Sequence, residues 1–446
     1  MNKIGNRALT VLLIACLILA GLGIYVRQYY EEGEDWVRYF SMKNSGSTGE
    51  ILDRNGVMLA RFNSTESVFS EDELTRKACY HAVGDYWGRT PTGALSIYRD
   101  GMSTYSVFTG TTHAHDTYLN LTLDSKLNRK AYELLGEERD GAIMIINYRT
   151  GDVLCMVSGP STDPDDSNAE LRDGTFINKC LSASFIPGSS FKLLTTAAAI
   201  ENLSDYRNLS FFCDNEYEVA GVPIGCTGPH YTQNFEQALN NSCNIAFAQI
   251  SVMIGQNTLA EYANKYGFLS THQLDGIPTA AGNFPLEFVG DPETAWAGIG
   301  QSTDLVCPYT MLRFVAAIAN GGELVEPHII SGRPTETTQL IESYTASELS
   351  DLMHSNFINH YEPETRFPGL DLSAKTGTGE IGDGTTNAWF VGYLNDEEHP
   401  YAFVFLVERG GTGLTVAGGL ANEVLQYAVS LPQPQPLAAE MEDSAQ

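Results

Sequence analysis

The chain has 446 residues, which leaves room for a targeting or membrane segment, a small module and one large domain. Lysine and arginine total 26, aspartate and glutamate total 55, and the formal net charge is −29. So acidic a chain is repelled by a phosphate backbone, which argues against nucleic acid as a partner.

The first predicted element is an apolar segment over residues 8–26 that carries no charged side chain. A helix of this length would extend about 28 Å, close to the hydrocarbon thickness of a bilayer. Lys3 and Arg7 precede it, whereas Arg27 alone follows before a run of acids. The positive-inside rule then places the N-terminus in the cytoplasm. We expect a single-pass protein of the cell membrane with the bulk of the chain outside the cytoplasm, and a cleaved signal peptide is the alternative.

Residues 27–118 are rich in glycine, serine, threonine and tyrosine and lack a long amphipathic period. This composition predicts a short, irregular N-terminal module outside the cytoplasm. Within it, residues 49–52 have a strand-like pattern that leads into Asp53-Arg54-Asn55-Gly56. The Asn-Gly dipeptide tolerates positive φ angles, so we expect a hairpin turn here.

A larger domain begins near residue 119, where Asp124 or Ser125 can cap a helix that ends at Leu135. Strand-like apolar runs occupy residues 142–147, 153–158, 372–378, 388–394 and 401–407. The first two runs surround a turn and predict a hairpin. The sequence thus predicts a sheet of five strands taken from both ends of one domain.

Helical sequence fills the region between these two groups of strands. We expect helices over residues 190–202, 235–239, 244–254, 258–266, 307–320 and 420–431. A sheet layered with helices from the middle of the domain is an α+β architecture, and its middle can hold a cleft. The domain should extend over residues 119–431, and the proline-rich, acidic residues 432–446 should be disordered.

Eight cysteines are present, of which Cys16 lies in the apolar segment. The remaining seven cannot all pair within one chain. Cys213 and Cys226 border a loop of turn-forming residues, and two alternatives stay open. They form a disulfide worth about 3 kcal/mol, or they are two buried apolar side chains. No CxxC pair exists and His113-Ala114-His115 is isolated, so we predict no metal and no cofactor.

The first chemical motif is Ser189-Ser190-Phe191-Lys192, which follows Pro187-Gly188 and opens a strongly helical run. Ser189 should lie at a helix N-terminus, where free amides and the helix dipole favour negative charge on its oxygen. Lys192 shares its face one turn later and can accept the serine proton if burial and a neighbouring cation lower its pKa. Each residue alone is more commonly an N-cap serine or a solvated lysine.

The second motif, Ser242-Cys243-Asn244, lies between two predicted helices. A loop there can place the Ser242 hydroxyl between Lys192 and Lys375, from where it passes a proton to a leaving amine. Asn244 offers both a donor and an acceptor to a substrate amide. Taken alone, Ser242 is better explained as a helix cap.

The third motif is Lys375-Thr376-Gly377-Thr378, followed by Gly379. On a strand the lysine and the two glycines share one face, and the threonines share the other. The glycines let a peptide approach the backbone closely, and the backbone amides of Ser189 and Thr378 can form an oxyanion hole. The fragment alone is better explained as an edge strand that its lysine protects from aggregation.

The three motifs, in this order and spacing, resemble those of class B penicillin-binding proteins, the monofunctional peptidoglycan D,D-transpeptidases. Residues 53–56, 141–160, 316–322 and 387–393 also resemble segments of this family, so the likeness extends with gaps from residue 49 to 431. It implies a five-stranded antiparallel sheet layered with helices plus an all-helical subdomain. Two departures are the short N-terminal module and the presence of Gly379 and Ser302 where the family often has alanine and glycine.

The resemblance implies a role for each motif residue. Ser189 would be the acylated nucleophile, Lys192 its base and Ser242 the proton relay. Substrate binding would fall to Asn244, Lys375, Thr376, Gly377 and Thr378.

The implied reaction cross-links peptidoglycan stem peptides through a serine acyl-enzyme that β-lactams inhibit. The resemblance also implies a membrane glycan polymerase as a partner. One alternative is a β-lactamase or D,D-carboxypeptidase, in which water attacks the same acyl-enzyme. Another is a non-catalytic penicillin-binding sensor or scaffold.

Overall fold

A computed structural model describes residues 7, 11–27, 49–62, 67–85, 87–98, 104–106, 111–113, 117–284 and 290–432. The chain divides into two compact units. The larger unit contains residues 51–59, 69–97 and 119 onwards, and the smaller contains the described residues among 1–50, 60–68 and 98–118. Apart from Pro432, the tail predicted to be disordered lies outside the described residues.

The predicted membrane segment is described in part. Residues 11–27 are helical, whereas residues 8–10 lie outside the described residues. Within the described part of the chain, no helix combines the length and the apolar character needed to cross a membrane. Residues 51–59 and 69–97 of the predicted N-terminal module belong to the larger compact unit.

The strands and helices are numbered in chain order. The strands are β1 (Gly49–Leu52), β2 (Met58–Phe62), β3 (Ser67–Phe69), β4 (Thr104–Ser106), β5 (Thr111–His113), β6 (Thr117–Asn120), β7 (Gly141–Asn147), β8 (Val153–Gly159), β9 (Ser210–Cys213), β10 (Glu216–Val219), β11 (Val222–Gly225), β12 (Tyr231–Asn234), β13 (Gln273–Leu274), β14 (Ile277–Pro278), β15 (Glu323–Val325), β16 (Thr337–Gln339), β17 (Leu372–Glu380), β18 (Thr386–Leu394) and β19 (Tyr401–Val407). The α-helices are α1 (Glu73–Val83), α2 (Ala94–Ile97), α3 (Ser125–Leu135), α4 (Lys192–Asn202), α5 (Phe235–Asn240), α6 (Asn244–Ile254), α7 (Gln256–Lys265), α8 (Asp291–Gly298), α9 (Pro308–Ala319), α10 (Ser343–His360), α11 (Pro363–Arg366) and α12 (Gly419–Ser430). Short 3₁₀ turns lie at Gly188–Phe191 and Tyr206–Asn208, and a π-helix lies at Gly413–Gly418.

The predicted five-stranded antiparallel sheet is confirmed, with the strand order β17-β18-β19-β7-β8. Strands β8 and β19 are buried along their whole length, because helices cover both faces of the sheet. Strand β17 lies at one edge and pairs with β18 alone, in a register that places Lys375 opposite Val391. The strand that carries the third motif therefore has one edge outside the sheet's hydrogen-bond ladder.

The hydrophobic core fills one face of this sheet. Ile143, Ile145, Phe403 and Phe405 point to that face, where side chains of α3 and α12 pack against them. Alternate residues of a strand point to opposite faces, so α9, which packs on β18 and β19 but is absent from this cluster, covers the other face. Burial of each such aromatic or aliphatic side chain contributes about 1.5–3 kcal/mol to folding.

The helix predicted to end at Leu135 is present as α3. Its N-cap is Asp124, whose side chain accepts hydrogen bonds from the Lys126 and Leu127 amides. Asp53 of the predicted Asn-Gly turn reaches the same helix, and its carboxylate accepts from the Ser125 amide at 3.1 Å and hydroxyl at 2.6 Å. Gly56 has φ +77°, which suits this tight turn. The turn thus closes onto the first turn of α3.

The segment between β8 and β17 supplies the helices α4 to α11. The prediction of an all-helical subdomain is wrong in detail, because β9 pairs with β12 and β10 pairs with β11 in this segment. These strands are short and mostly exposed, so they lack the apolar runs that identify a buried strand. The β10–β11 hairpin lies within the wider hairpin that β9 and β12 form directly before α5.

Candidate active site

Ser189 lies in the 3₁₀ turn Gly188–Phe191, which continues directly into α4. Its side chain is partly buried. The turn is pressed against β17, because a Cβ atom on Gly188 would lie 2.3 Å from the Thr378 carbonyl oxygen. Gly188 also has φ +54°, a conformation that a side chain disfavours. A glycine before Ser189 thus lets the turn that carries the hydroxyl approach the sheet edge.

Lys192, the first residue of α4, is completely buried. Its ammonium group donates hydrogen bonds to the Ser242 carbonyl at 2.6 Å and to Asn244 Oδ1 at 2.8 Å, and it lies 3.4 Å from Ser242 Oγ. Burial lowers the pKa of Lys192 to about 8. A lysine with this pKa is partly neutral near physiological pH and is suited to act as a general base.

Ser242 lies in the turn between α5 and α6, where its φ is +50°. Its hydroxyl oxygen is 3.0 Å from Lys375 Nζ, which donates to it, and 3.4 Å from Lys192 Nζ. The structure therefore places this hydroxyl between the two lysines, in the arrangement that the sequence predicted for a proton relay. A left-handed φ in a residue other than glycine costs about 1–3 kcal/mol, and such strain concentrates at functional sites.

Lys375 is fully buried on β17. Burial lowers its pKa well below the usual value for lysine, and the charge of Lys192 lowers it further. Because the two ammonium groups face the same hydroxyl, their charges disfavour each other. The pair therefore favours a state in which one of the two amines is neutral.

Asn244 uses both ends of its side-chain amide. Its Oδ1 accepts from Lys192, and its Nδ2 donates to the Gly225 carbonyl at 3.0 Å. The first residue of α6 is thus tied both to the proposed base and to the end of β11. Its role as a substrate clamp remains a prediction.

The threonines of the third motif face other protein groups. The Thr376 hydroxyl is 3.1 Å from the Tyr361 hydroxyl, and the Thr378 hydroxyl accepts from the Gly413 amide at 3.3 Å. These contacts lie on the strand face opposite Lys375, as the alternation of a strand requires. Carboxylate binding by the two hydroxyls remains a prediction.

The two glycines of β17 lie against the chain segment that precedes Ser189. A Cβ atom on Gly377 would lie 2.3 Å from the Pro187 carbonyl oxygen, and one on Gly379 would lie 2.1 Å from that of Ile186. The backbone that approaches this face closely belongs to the chain itself, in the segment that leads to Ser189. The glycines therefore let the segment that leads to Ser189 pack on β17, and their predicted contact with a peptide remains a prediction.

The Thr378 carbonyl accepts a hydrogen bond from Gln301 Nε2 at 3.1 Å, so it points away from β18. The amide and carbonyl of one strand residue point to the same edge. The Thr378 amide therefore faces the edge against which Gly188 packs, which is the orientation that an oxyanion hole with the Ser189 amide requires. The sequence alone did not identify Gln301 or Tyr361 as neighbours of the site.

Cys213 and Cys226 are free thiols, so the disulfide considered from the sequence is not formed in this structure. Their sulfur atoms instead meet two further groups, the Cys243 sulfur and the imidazole of His230, and all four ligand atoms lie within 4.8 Å of one another. Cysteine spacing did not indicate this group, because the chain passes through two hairpins between its first and last members. Of the isolated pair His113 and His115, the latter lies outside the described residues.

Residues 141–426, more than half of the chain, match the penicillin-binding protein transpeptidase domain. The chain belongs to this family. It is similar to the peptidoglycan D,D-transpeptidase PbpA of Mycolicibacterium smegmatis, with 25% identity over 352 residues that cover 68% of this chain and 69% of the relative. It is 28% identical to the stage V sporulation protein D of Bacillus subtilis over 350 residues, which cover 71% of this chain.

This chain spans about half the length of the Bacillus relative, since the match covers 53% of that protein. The fold is similar to a solved structure of penicillin-binding protein A from M. tuberculosis in an acyl-enzyme complex, with a TM-score of 0.74 and 21% identity. That match covers 86% of this chain and 99% of the other. The family membership expected from the three motifs is therefore confirmed.

Proposed function

We propose that this protein is a serine-type peptidoglycan D,D-transpeptidase that acts on stem peptides ending in D-Ala-D-Ala and is acylated by β-lactams. One observation carries the proposal. Two fully buried lysines, Lys192 and Lys375, flank the Ser242 hydroxyl, and Lys192 lies one helical turn after Ser189. Burial of two amines beside one hydroxyl is costly to the fold, and such groups with shifted pKa values are concentrated at sites of proton chemistry.

Acylation begins when the Ser189 oxygen attacks the carbonyl between the two D-alanines and neutral Lys192 takes the hydroxyl proton. The amides of Ser189 and Thr378 stabilise the negative charge that develops on the carbonyl oxygen. Ser242 passes its proton to the nitrogen of the leaving D-alanine, and Lys192 returns to Ser242 the proton that it took from Ser189. The amine of a neighbouring stem peptide then attacks the acyl-enzyme carbonyl and gives up one proton. The ester bond to Ser189 breaks as the new amide forms, and that proton passes to the Ser189 oxygen and restores its hydroxyl.

The terminal carboxylate of the donor peptide needs a cationic partner. Lys375 supplies positive charge at the sheet edge, and Thr376 and Thr378 of the same strand would join it in binding the carboxylate after their hydroxyls leave Tyr361 and the Gly413 amide on the opposite face. Gln301 occupies the same edge and can orient the peptide backbone through its amide. Asn244 would hold the stem-peptide amide after releasing one of its present partners.

The uncharged segment at residues 8–26 supports an anchored enzyme, with its N-terminus in the cytoplasm and its catalytic domain outside. A membrane glycan polymerase would then supply nascent strands close to the active site. Protease treatment of intact spheroplasts tests the orientation. A catalytic domain that is protected until the membrane is broken would contradict it.

The direct test is intact-mass analysis of the full chain, followed over time after addition of benzylpenicillin. We expect a stable adduct that Ser189→Ala abolishes and that Ser182→Ala, a change of an exposed serine seven residues earlier, leaves unchanged. Rapid loss of the adduct would indicate a β-lactamase or a carboxypeptidase. The absence of any adduct on the wild-type chain would refute the proposal and favour a scaffold.

A further inference from the structure

Four potential metal ligands meet beside the active site: Cys213, Cys226, His230 and Cys243. The distance from Cys226 Sγ to Cys243 Sγ is 3.9 Å. Nδ1 of His230 lies 3.5 Å from Cys213 Sγ and 3.6 Å from Cys226 Sγ. Two of the cysteines are buried, and the other two members of the group are partly buried. Each residue contributes one ligand atom directed at the same small volume.

These three distances match edges of a zinc tetrahedron, and the other three are at most 4.8 Å. With Zn–S bonds of about 2.3 Å and Zn–N bonds of about 2.0–2.1 Å, two sulfurs lie about 3.8 Å apart, and a sulfur and a nitrogen lie about 3.6 Å apart. We propose that Cys213, Cys226, His230 and Cys243 bind one Zn²⁺ ion. The ion would have four protein ligands and no open position, which is the arrangement of a structural site rather than a catalytic one.

The ligand set selects the class of metal. Thiolates and imidazole suit zinc and other soft or borderline ions, whereas magnesium and calcium require oxygen ligands. Zinc also suits a tetrahedron of sulfur and nitrogen and has no redox chemistry that would consume the thiols. Cys226 and His230 are separated by a short turn that contains Gly228 and Pro229, which lets both residues face one ion.

The backbone already holds the four residues near these positions. Cys213 ends β9, and its carbonyl accepts a hydrogen bond from the His230 amide at 3.0 Å. The Cys226 amide donates to the Asn215 carbonyl at 2.9 Å. Cys243 is the N-cap of α6. Zinc would therefore join two hairpins to a helix start, in a segment whose short strands bury few apolar side chains.

The site is linked to the catalytic residues through the chain itself. Cys243 lies between Ser242 and Asn244, and Asn244 donates to the carbonyl of Gly225, the residue before Cys226. Cys243 thus adjoins the proposed relay and the proposed clamp, and Cys226 adjoins the residue whose carbonyl holds the clamp. Because Ser242 has a strained φ of +50°, its position depends on firmly held neighbours. The four ligands act as positioning residues for the second motif.

Zinc content is the first test, and it is independent of the proposed transpeptidation. The full chain is purified without a histidine tag, under reducing conditions and without chelators, and its metals are measured by mass spectrometry. We expect about one zinc per chain. Cys226→Ser should lose the zinc, whereas Cys79→Ala, which removes a buried thiol outside the group, should keep it.

Two outcomes would overturn the metal site. One is a reduced wild-type chain that neither contains zinc nor retains it after incubation with Zn²⁺. The other is a Cys226→Ser chain that keeps its zinc. Cys226→Asp supplies a carboxylate ligand and should regain zinc, which separates loss of a ligand from failure to fold.

The second test measures the rate at which a fluorescent penicillin acylates Ser189, and it rests on the proposed function. We expect Cys226→Ser to slow acylation by about tenfold to a hundredfold, as removal of supporting groups around a site does, and Cys226→Asp to restore it. Acylation at the wild-type rate in a zinc-free variant would overturn the positioning role. A wild-type chain that binds zinc but is not acylated would refute the proposed function and leave the metal site intact.

Discussion

Two regions hold the active site, and they do so by different means. The sheet side comprises β17 and residues 186–190, and the loop side comprises residues 240–244, the strands of residues 210–234 and Lys192, which donates to the Ser242 carbonyl. On the sheet side, main chain packs on main chain with no space for a Cβ atom at Gly377. On the loop side, a few polar contacts hold a strained turn.

The tight packing of the sheet side should mainly determine the stability of the site, whereas the polar groups of the loop side should mainly determine the reaction rate. Trp389 donates its indole hydrogen to the Ile186 carbonyl at 2.9 Å, so the sheet side is also tied to the buried strand β18. The loop side contains the buried amine of Lys192 and the strained backbone of Ser242, and both cost the fold free energy. We therefore expect changes that disturb the main-chain packing of the sheet side to lower stability, and loss of the Lys192 amine or the Ser242 hydroxyl to lower the acylation rate.

The largest expected effect is that of Lys192→Met on the loop side. Loss of the general base should slow penicillin acylation by about a thousandfold. Stability should change little, because removal of the desolvation cost of a buried ammonium offsets the lost hydrogen bonds. Stopped-flow labelling and chemical denaturation measure the two effects. Loss of folding together with activity would contradict the comparison.

Gly377→Ala should have the converse effect on the sheet side. Its Cβ atom would meet the Pro187 carbonyl oxygen at 2.3 Å, which forces backbone shifts that cost about 3 kcal/mol of unfolding free energy. Gly419→Ala is the matched control, because nothing lies within 4 Å of its Cβ position at the start of α12. Urea denaturation compares the two variants. Equal stability of both variants would show that the sheet side is not tightly packed.

The pH dependence of acylation should follow the neutral form of Lys192. Its pKa is lowered to about 8, so the rate should rise roughly tenfold per pH unit below pH 8 and level off above it. Between pH 6 and 8 Lys192 loses its proton and becomes able to act as a base, so the acylation rate rises with pH. A rate that is flat across this interval would exclude Lys192 as the titrating base.

The smallest expected effect is a difference in stability between two variants of Ser242, which distinguishes backbone strain from loss of the hydroxyl. Ser242→Gly and Ser242→Ala both remove the hydroxyl, so both should slow acylation equally. Only glycine accepts φ +50° without strain, so Ser242→Gly should be more stable than Ser242→Ala by about 1 kcal/mol. Thermal unfolding of the two variants gives this difference directly. Equal stability would mean that the turn is not strained.

The sequence predicted best where periodic patterns persist over a long segment. The α3 helix and the five strands were recognised because buried apolar residues recur with helical or strand spacing. The α10 helix was missed even though Ala346, Leu349, Met353 and Phe357 have helical spacing and are buried. Serine, asparagine and histidine between these residues weaken the apolar signal, and tertiary packing decides the helix.

Within the candidate site, the sequence predicted the contacts among Lys192, Ser242 and Lys375, because the three motifs restrict which groups can meet. It could not predict that Gln301 binds the β17 edge or that Tyr361 contacts Thr376, because both contacts join segments without a local pattern. The meeting of Cys243 with Cys213 and Cys226 likewise depends on two hairpins that have no strong strand signal.

Gln301 covers main-chain groups on the free edge of β17. Its amide donates to the Thr378 carbonyl at 3.1 Å and accepts from the Glu380 amide at 3.3 Å, so it satisfies main-chain groups that β18 leaves unpaired. An unpaired strand edge invites self-association of two molecules. While Gln301 holds both groups, a second copy of the chain cannot pair with β17 at Thr378 and Glu380.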